Sequence, residues 1–167
     1  MEPNPEQQTE HKPKPYEQKE EEWDDSLFES NWTDQIERFE DMDLKKDLLR
    51  GIFGYGFETP SVIQQKAIKP ITLKKDIIAQ AQSGSGKTAT FSIGMLQNVD
   101  NEDLKTQALV LAPTRELATQ IHQVISSLAA FLNIKCVLLV GGTELKKNKI
   151  ELKEGCHVVS GDSRKSE

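Results

Sequence analysis

Ala81-Gln82-Ser83-Gly84-Ser85-Gly86-Lys87-Thr88 is the stretch of this sequence that decides the fold. It follows a short apolar segment, Asp76–Gln80, whose composition predicts a buried strand. It precedes residues 89–96, whose spacing of apolar side chains predicts a helix with one apolar face. A strand, a glycine-rich turn and a helix in this order are the context that a phosphate-binding loop requires.

The residue types in the turn suit phosphate chemistry. Gly84 and Gly86 allow consecutive backbone N–H groups to point at an anion, and the following helix N-terminus adds its positive dipole end. The ammonium of Lys87 can reach the outer phosphates, and the hydroxyl of Thr88 can hold Mg²⁺. The first position is Ala81 instead of glycine, so the strict pattern is incomplete. The alternative interpretation is a flexible Gly/Ser connection with an incidental lysine.

The composition indicates one globular domain with a polar extension. The chain has 167 residues, a formal charge of −6 and 36% hydrophobic residues. Residues 1–30 hold ten acidic and three basic side chains and four of the seven prolines. Such a segment cannot bury enough apolar surface to offset its ordering entropy, so it predicts a disordered, solvated acidic tail in preference to a partner-docking segment.

The rest of the composition bears on compartment. No apolar stretch reaches membrane-spanning length and no secretory signal pattern is present, which favours a soluble intracellular protein without a membrane partner. Cys136 and Cys156 lack metal-ligand spacing and are predicted to be free thiols in a reducing compartment. The three histidines form no cluster, and no catalytic or metal role is assigned to them.

Strand-like and helix-like patterns alternate along the chain, which predicts an α/β fold with a mainly parallel sheet flanked by helices. Asp43 is a plausible N-cap for one helix, and Thr59-Pro60 a plausible start for a second helix that Pro70 would end. Thr114 can cap a longer helix that runs to about residue 131. Further strands are predicted at 108–112, at 136–140 and from 157, and a short charged helix at 144–152.

Three loops at the carboxyl ends of the predicted strands would share one edge of the sheet, where ligands of such folds gather. They are the phosphate loop, Pro113-Thr114-Arg115 and Gly141-Gly142-Thr143. Their N–H groups, hydroxyls and guanidinium suit the phosphates of a nucleic-acid backbone, read without base identity. The alternative is purely local structure, with Thr114 as a cap and the glycines as a turn.

Taken together, these motifs resemble the first RecA-like (P-loop) domain of the DEAD-box RNA helicases, and some segments resemble the translation-initiation-factor subgroup. Phe57–Gln64 resembles the core of the Q motif, which would span 37–65, and Ala81–Thr88 resembles motif I. Pro113–Ala118 resembles motif Ia, and Gly141-Gly142 the GG motif. The predicted domain layout is a tail at 1–30, an incomplete RecA-like domain at 31–161 and a divergent end at 162–167.

The resemblance implies a role for each matching position. Gln64 would read the adenine of ATP, Phe39 would pack against the base and the backbone at Thr59 would contribute. The whole of Ala81–Thr88, that is Ala81, Gln82, Ser83, Gly84, Ser85, Gly86, Lys87 and Thr88, would hold the phosphates, with Mg²⁺ on Thr88. The RNA backbone would be bound by Pro113, Thr114, Arg115, Gly141, Gly142 and Thr143. A monomeric cytoplasmic protein with initiation-factor scaffold partners is implied, with the nucleus as the alternative location.

The sequence departs from the family after Gly161, where Thr-Pro-Gly-Arg is replaced by Asp162–Glu167. No Asp-Glu-Ala-Asp motif is present, so Lys87 and Thr88 are only part of a catalytic centre. We therefore expect no ATP hydrolysis or unwinding by this polypeptide alone. Missing central strands would leave open edges, with marginal stability or aggregation. The remaining alternatives are a non-catalytic ATP- or partner-binding fragment and an inert product; a kinase or small GTPase is disfavoured.

Overall fold

The computed structural model describes residues 32–142 and 145–162. The predicted tail at 1–30, Thr143 and residues 163–167 lie outside the described residues. After a 3₁₀-helix, Phe39–Met42, the elements are α1 (Lys46–Tyr55), α2 (Val62–Thr72), α3 (Lys87–Asn98), β1 (Ala108–Ala112), α4 (Arg115–Leu128), β2 (Cys136–Leu139), α5 (Leu145–Glu154) and β3 (Val158–Asp162).

The three strands form one parallel sheet in the order β1-β3-β2. The register places Ala112 of β1 opposite Asp162 at the end of β3, and Leu139 of β2 opposite Gly161. The carboxyl ends of all three strands therefore lie at one edge. The predicted α/β fold with a parallel sheet flanked by helices is confirmed.

Helix α4 is the central packing element. It begins after Thr114, whose hydroxyl accepts the N–H of Leu117, as its sequence predicts. Its apolar stripe is buried, with Ile125 and Leu128 fully inaccessible. The helix packs against all three strands and, on its other side, against α1 and α3. Burying one stripe between a sheet and two helices is the layered solution expected of this fold class.

Three helix boundaries differ from the sequence-based expectation. Asp43 does not cap α1: it adopts a left-handed backbone with φ of 56° and pairs with Lys69 at 2.6 Å, and the helix starts after Lys45. Helix α2 starts after Ser61, because Ser61 and Gln64 form a capping box that outcompetes Thr59-Pro60. Pro70 does not end α2. It lies in the last turn, and the helix continues past it to Thr72.

The predicted strand at Asp76–Gln80 is wrong. The segment has no regular secondary structure, and Ile78 is fully exposed. A strand exists only when a neighbour satisfies its N–H and C=O groups, and among the described residues the three strands pair only with one another. Residues 76–80 pair with none of these strands, so their apolar side chains are not buried by the sheet.

The outer edge of β1 is open. The N–H of Ala108 donates to the carbonyl of His157 on the β3 side, so the alternate residues Leu109 and Leu111 turn their backbone groups outward. Their side chains are each 63% exposed. An uncharged, apolar edge of this kind is a template for pairing with another chain.

We expect the double substitution Leu109→Lys and Leu111→Lys to reduce self-association of the chain, because lysine on an edge strand disfavours edge-to-edge pairing. Sedimentation velocity over a concentration series measures the effect. The matched control is Ile150→Lys, which changes a similarly exposed residue on α5 and should leave association unchanged. Equal association of the double variant and the unmodified chain would contradict the expectation.

Both cysteines are free, as the sequence predicts, with Cys156 buried and Cys136 half-buried. Burial, with a smaller contribution from Cys156, raises the pKa of the Cys136 thiol to about 11.

In a Cys156→Ser variant we expect Cys136 to be alkylated at pH 8 about 100-fold more slowly than the same chain unfolded in urea. The rate should keep rising with pH above the ordinary thiol pKa, because burial, the larger cause of the raised pKa, remains in the variant. A plateau near the ordinary thiol pKa would show that the folded environment leaves the thiol unperturbed.

Candidate phosphate-binding site

The phosphate loop has the backbone that its glycines predict. Gly84 and Gly86 have φ of 83° and 91°, a left-handed conformation that residues with a Cβ rarely adopt. Helix α3 starts at Lys87, and no side chain caps its N-terminus. The first N–H groups of a helix have no intrahelical acceptor, so these donors face the loop and can bind an anion.

Lys87 is held within the loop itself. Its ammonium donates to the carbonyl oxygens of Ala81 and Gln82. The neighbouring Thr88 is half-buried, and its carbonyl accepts the Ser92 hydroxyl at 2.6 Å. The lysine therefore lies beside the N-terminus of α3. The charge of its ammonium and the positive end of the helix dipole are at one place.

The start of α2 contacts the phosphate loop directly. The Ser61 hydroxyl donates to the carbonyl of Ser85 at 2.8 Å, and Gln64 Oε1 accepts the Ser61 N–H at 2.8 Å. A Cβ atom at Gly86 would lie 2.7 Å from Gln64 Nε2. Gly86 is therefore required twice, by its backbone conformation and by the side chain packed over it. The structure brings the predicted base-reading and phosphate-binding residues together.

Two other residues of the predicted adenine site lie apart from this contact. Phe39 is 0% exposed, and its ring centroid lies 6.4 Å from that of Phe53 and 6.5 Å from that of Phe57. It belongs to the core in this structure and presents no face to a base. Thr59 is exposed on the segment that precedes α2.

The second group of predicted residues meets at the carboxyl edge of the sheet. Pro113, Thr114 and Arg115 are exposed where β1 leads into α4. A Cβ atom at Gly142 would lie 3.1 Å from Arg115 Nη1, so the guanidinium lies over the Gly141-Gly142 turn. Thr114 also caps α4, so one residue would be both a helix cap and a predicted RNA contact. The structure brings this group together, apart from Thr143, which is not described.

The sequence analysis missed two residues of this region. Ser61 ties α2 to the phosphate loop, and the spacing Ser61-x-x-Gln64 is a capping-box signal that could have identified it. Asp162, the last residue of β3, accepts the N–H of Gly141 at 3.4 Å. No local sequence signal places Asp162 here, because its position depends on the register of the sheet.

The described part of the chain shows neither a metal-binding cluster nor a membrane-spanning helix. No group of three or more His, Cys, Asp or Glu residues there is arranged to hold a metal ion. Within residues 32–142 and 145–162, no helix is long and apolar enough to cross a bilayer.

A parallel α/β sheet with a glycine-rich loop opening a helix defines the class of P-loop domains. Solved structures agree with this class. The chain resembles a DEAD box protein from the hyperthermophile Methanococcus jannaschii with a TM-score of 0.72 and 35% identity, covering 77% of this chain and 35% of that chain. It resembles Saccharomyces cerevisiae Dbp5 bound to RNA and ADP BeF3 with a TM-score of 0.68 and 37% identity, covering 78% and 33%.

Sequence comparisons give the family. The sequence profile of the DEAD/DEAH box helicases matches residues 61–165. "Eukaryotic initiation factor 4A" of Caenorhabditis elegans is 55% identical over 82% of this chain, and "ATP-dependent RNA helicase eIF4A" of Schizosaccharomyces pombe is 52% identical over 83%. The chain belongs to the DEAD/DEAH box helicase family, as its motifs predict. It spans about a third of the length of these relatives, 34% and 35%.

Proposed function

We propose that this chain supplies ATP and RNA contacts of an ATP-dependent RNA helicase of the initiation factor 4A type. The single observation that carries the proposal is the contact between Gln64 and Gly86. It places the carboxamide of Gln64, which is 2% exposed in this structure, against a loop able to hold phosphates. The name of the Schizosaccharomyces pombe relative, an ATP-dependent RNA helicase, supports the same assignment.

The residues of the loop fit a nucleotide with Mg²⁺. A Cβ at Gly86 would press on the Gln64 amide, and the N-terminus of α3 has no side-chain cap, so its first N–H groups are available to an anion. The N–H groups at the start of α3 would hold the phosphates, while Lys87 would neutralise their charge. The hydroxyl of Thr88 would help to hold the Mg²⁺, which would supply positive charge to the phosphates. Gln64 would exchange hydrogen bonds with the adenine edge.

The edge formed by Arg115, Thr114 and the Gly141-Gly142 turn would contact the RNA backbone, with Pro113 shaping the loop and Thr143 following the turn. Arg115 offers a planar guanidinium that matches phosphate oxygens, and the N-terminus of α4 adds its dipole. One relative was solved with RNA and ADP BeF3, which supports both ligands for this family. Such contacts would carry no sequence information.

The printed sequence contains no Asp-Glu-Ala-Asp motif. A polypeptide of these 167 residues would therefore bind ATP without hydrolysing it, since the metal-assisting carboxylate and the residue that orients water are not among its motifs. A role in translation would place the helicase in the cytoplasm beside initiation-factor scaffold proteins. Such a polypeptide would act as a non-catalytic binding fragment that uses the same sites. Phosphate release above background from the purified chain in the presence of RNA would contradict this.

Nucleotide titration of the purified chain with Mg·ATP and Mg·GTP tests the proposal. We expect a preference for ATP that falls by about tenfold or more in Gln64→Glu, because the substitution removes the donor while keeping the acceptor for the Ser61 N–H. Gln65→Ala, which changes the neighbouring glutamine, is the control and should keep the preference. Circular dichroism of each variant checks that α2 is intact.

Equal affinity of the unmodified chain for ATP and GTP would contradict the role of Gln64. Absence of binding to either nucleotide by a folded chain would contradict the nucleotide site as a whole.

A further inference from the structure

Asp162 stands in the middle of the proposed RNA-binding edge. It ends β3, the central strand, opposite Ala112 of β1. Ala112 leads directly into Pro113-Thr114-Arg115 on one side, and the Gly141-Gly142 turn follows β2 on the other. The side chain of Asp162 is only 7% exposed. Its carboxylate therefore lies between the two loops, within the edge itself.

The carboxylate is poorly satisfied. Asp162 Oδ2 accepts the N–H of Gly141 at 3.4 Å, which is a long hydrogen bond, and Oδ1 is buried without a hydrogen-bond partner among the described residues. No ion pair of Asp162 is found within the described ranges. A buried carboxylate needs donors or a cation. Among the described residues Asp162 has one distant donor, and that donor belongs to the glycine turn.

The charge has a direct consequence for an anion that approaches the turn. A Cβ at Gly141 would lie 3.8 Å from Asp162 Oδ2, and a Cβ at Gly142 would lie 3.1 Å from Arg115 Nη1. The carboxylate and the guanidinium thus flank the same two-residue turn. A phosphate bound by Arg115 would lie at the same turn as a like charge, and the N–H of Gly141 would already be in use.

We propose that Asp162 weakens RNA binding at this edge, because its carboxylate takes the N–H of Gly141 and repels the phosphate that Arg115 would hold. The inference rests on the proposed function, since it concerns the same RNA-binding edge. It makes Asp162 a residue that sets affinity for RNA without itself contacting RNA.

Fluorescence anisotropy with a labelled ten-uridine RNA at about 0.1 M salt, where such charges still interact, tests the inference. We expect Asp162→Asn to bind about tenfold more tightly than the unmodified chain, from the loss of one close like charge. Adding Arg115→Ala to Asp162→Asn should remove that gain. Asp47→Asn is the control, because it changes net charge equally on α1 while breaking only the surface pair with Arg50.

The outcomes separate the two proposals. Equal affinity of the unmodified chain and Asp162→Asn would overturn the inference and leave the RNA edge standing. No RNA binding by either folded chain would overturn both. A gain of the same size in Asp47→Asn would show a general charge effect and would also overturn the inference. Asp162→Ser, judged by the same criteria, replaces Asp162→Asn if circular dichroism shows that the asparagine variant does not fold.

Discussion

Replacing Lys87 with alanine is expected to reduce affinity for Mg·ATP by about 100-fold, the loss that removing charge-assisted hydrogen bonds to phosphate produces. The ammonium lies at the start of α3 beside the glycine turn, where it is the charged side chain of the loop. Isothermal titration calorimetry of the unmodified chain and of Lys87→Ala measures the change.

The fold should tolerate this substitution. The lysine donates to the carbonyls of Ala81 and Gln82, and Gln82 is exposed, so water can replace the ammonium there. The control is Lys75→Ala, which removes an exposed charge a few residues before the loop and should change affinity less than about twofold. Equal affinity of Lys87→Ala and the unmodified chain would mean that the loop does not hold phosphates through Lys87.

Replacing Gly51 with alanine is expected to destabilise the fold by about 3 kcal/mol, the upper range for overpacking a tight contact. A Cβ there would lie 2.0 Å from the carbonyl oxygen of Leu128 and 2.9 Å from its carbonyl carbon. These are backbone atoms at the end of α4, so relief requires α1 to move away from α4. Urea denaturation followed by circular dichroism gives the change in the free energy of unfolding.

Gly54 provides a control in the same helix. A Cβ at Gly54 would lie 3.6 Å from Phe131 Cε2, which is an ordinary contact. Gly54→Ala should therefore stabilise the chain by up to about 1 kcal/mol through helix propensity. The two substitutions are chemically identical, but we expect them to change the free energy of unfolding in opposite directions. A stabilising Gly51→Ala would contradict the close packing of α1 on α4.

Elements with strong local signals could be predicted from the sequence. The run Ala108–Ala112 is continuously apolar and ends at a proline, and β1 has these bounds. Thr114 followed by a regular apolar stripe predicts α4 together with its cap. The glycine-rich loop specifies its own backbone, because only glycine takes its left-handed positions readily. In each case the deciding interactions lie within a few residues of one another.

The features that could not be predicted correctly depend on partners that are distant in the sequence. Asp76–Gln80 is apolar enough for a strand, but a strand needs a neighbour that its own composition cannot supply. Asp43 is a good cap by type, yet Lys69 in α2 pairs with its carboxylate. The place of Asp162 beside Gly141 depends on the register of β3 with β2.

The contacts of Lys87 would make the proposed nucleotide binding an exchange reaction. Its ammonium already has two oxygen partners from its own loop. A triphosphate would have to displace both carbonyls before it gained that charge. The affinity for nucleotide would therefore reflect the free-energy difference between a lysine bound to its own loop and a lysine bound to phosphate. Weakening the hold of the loop on its own lysine should tighten nucleotide binding without adding any contact to the nucleotide.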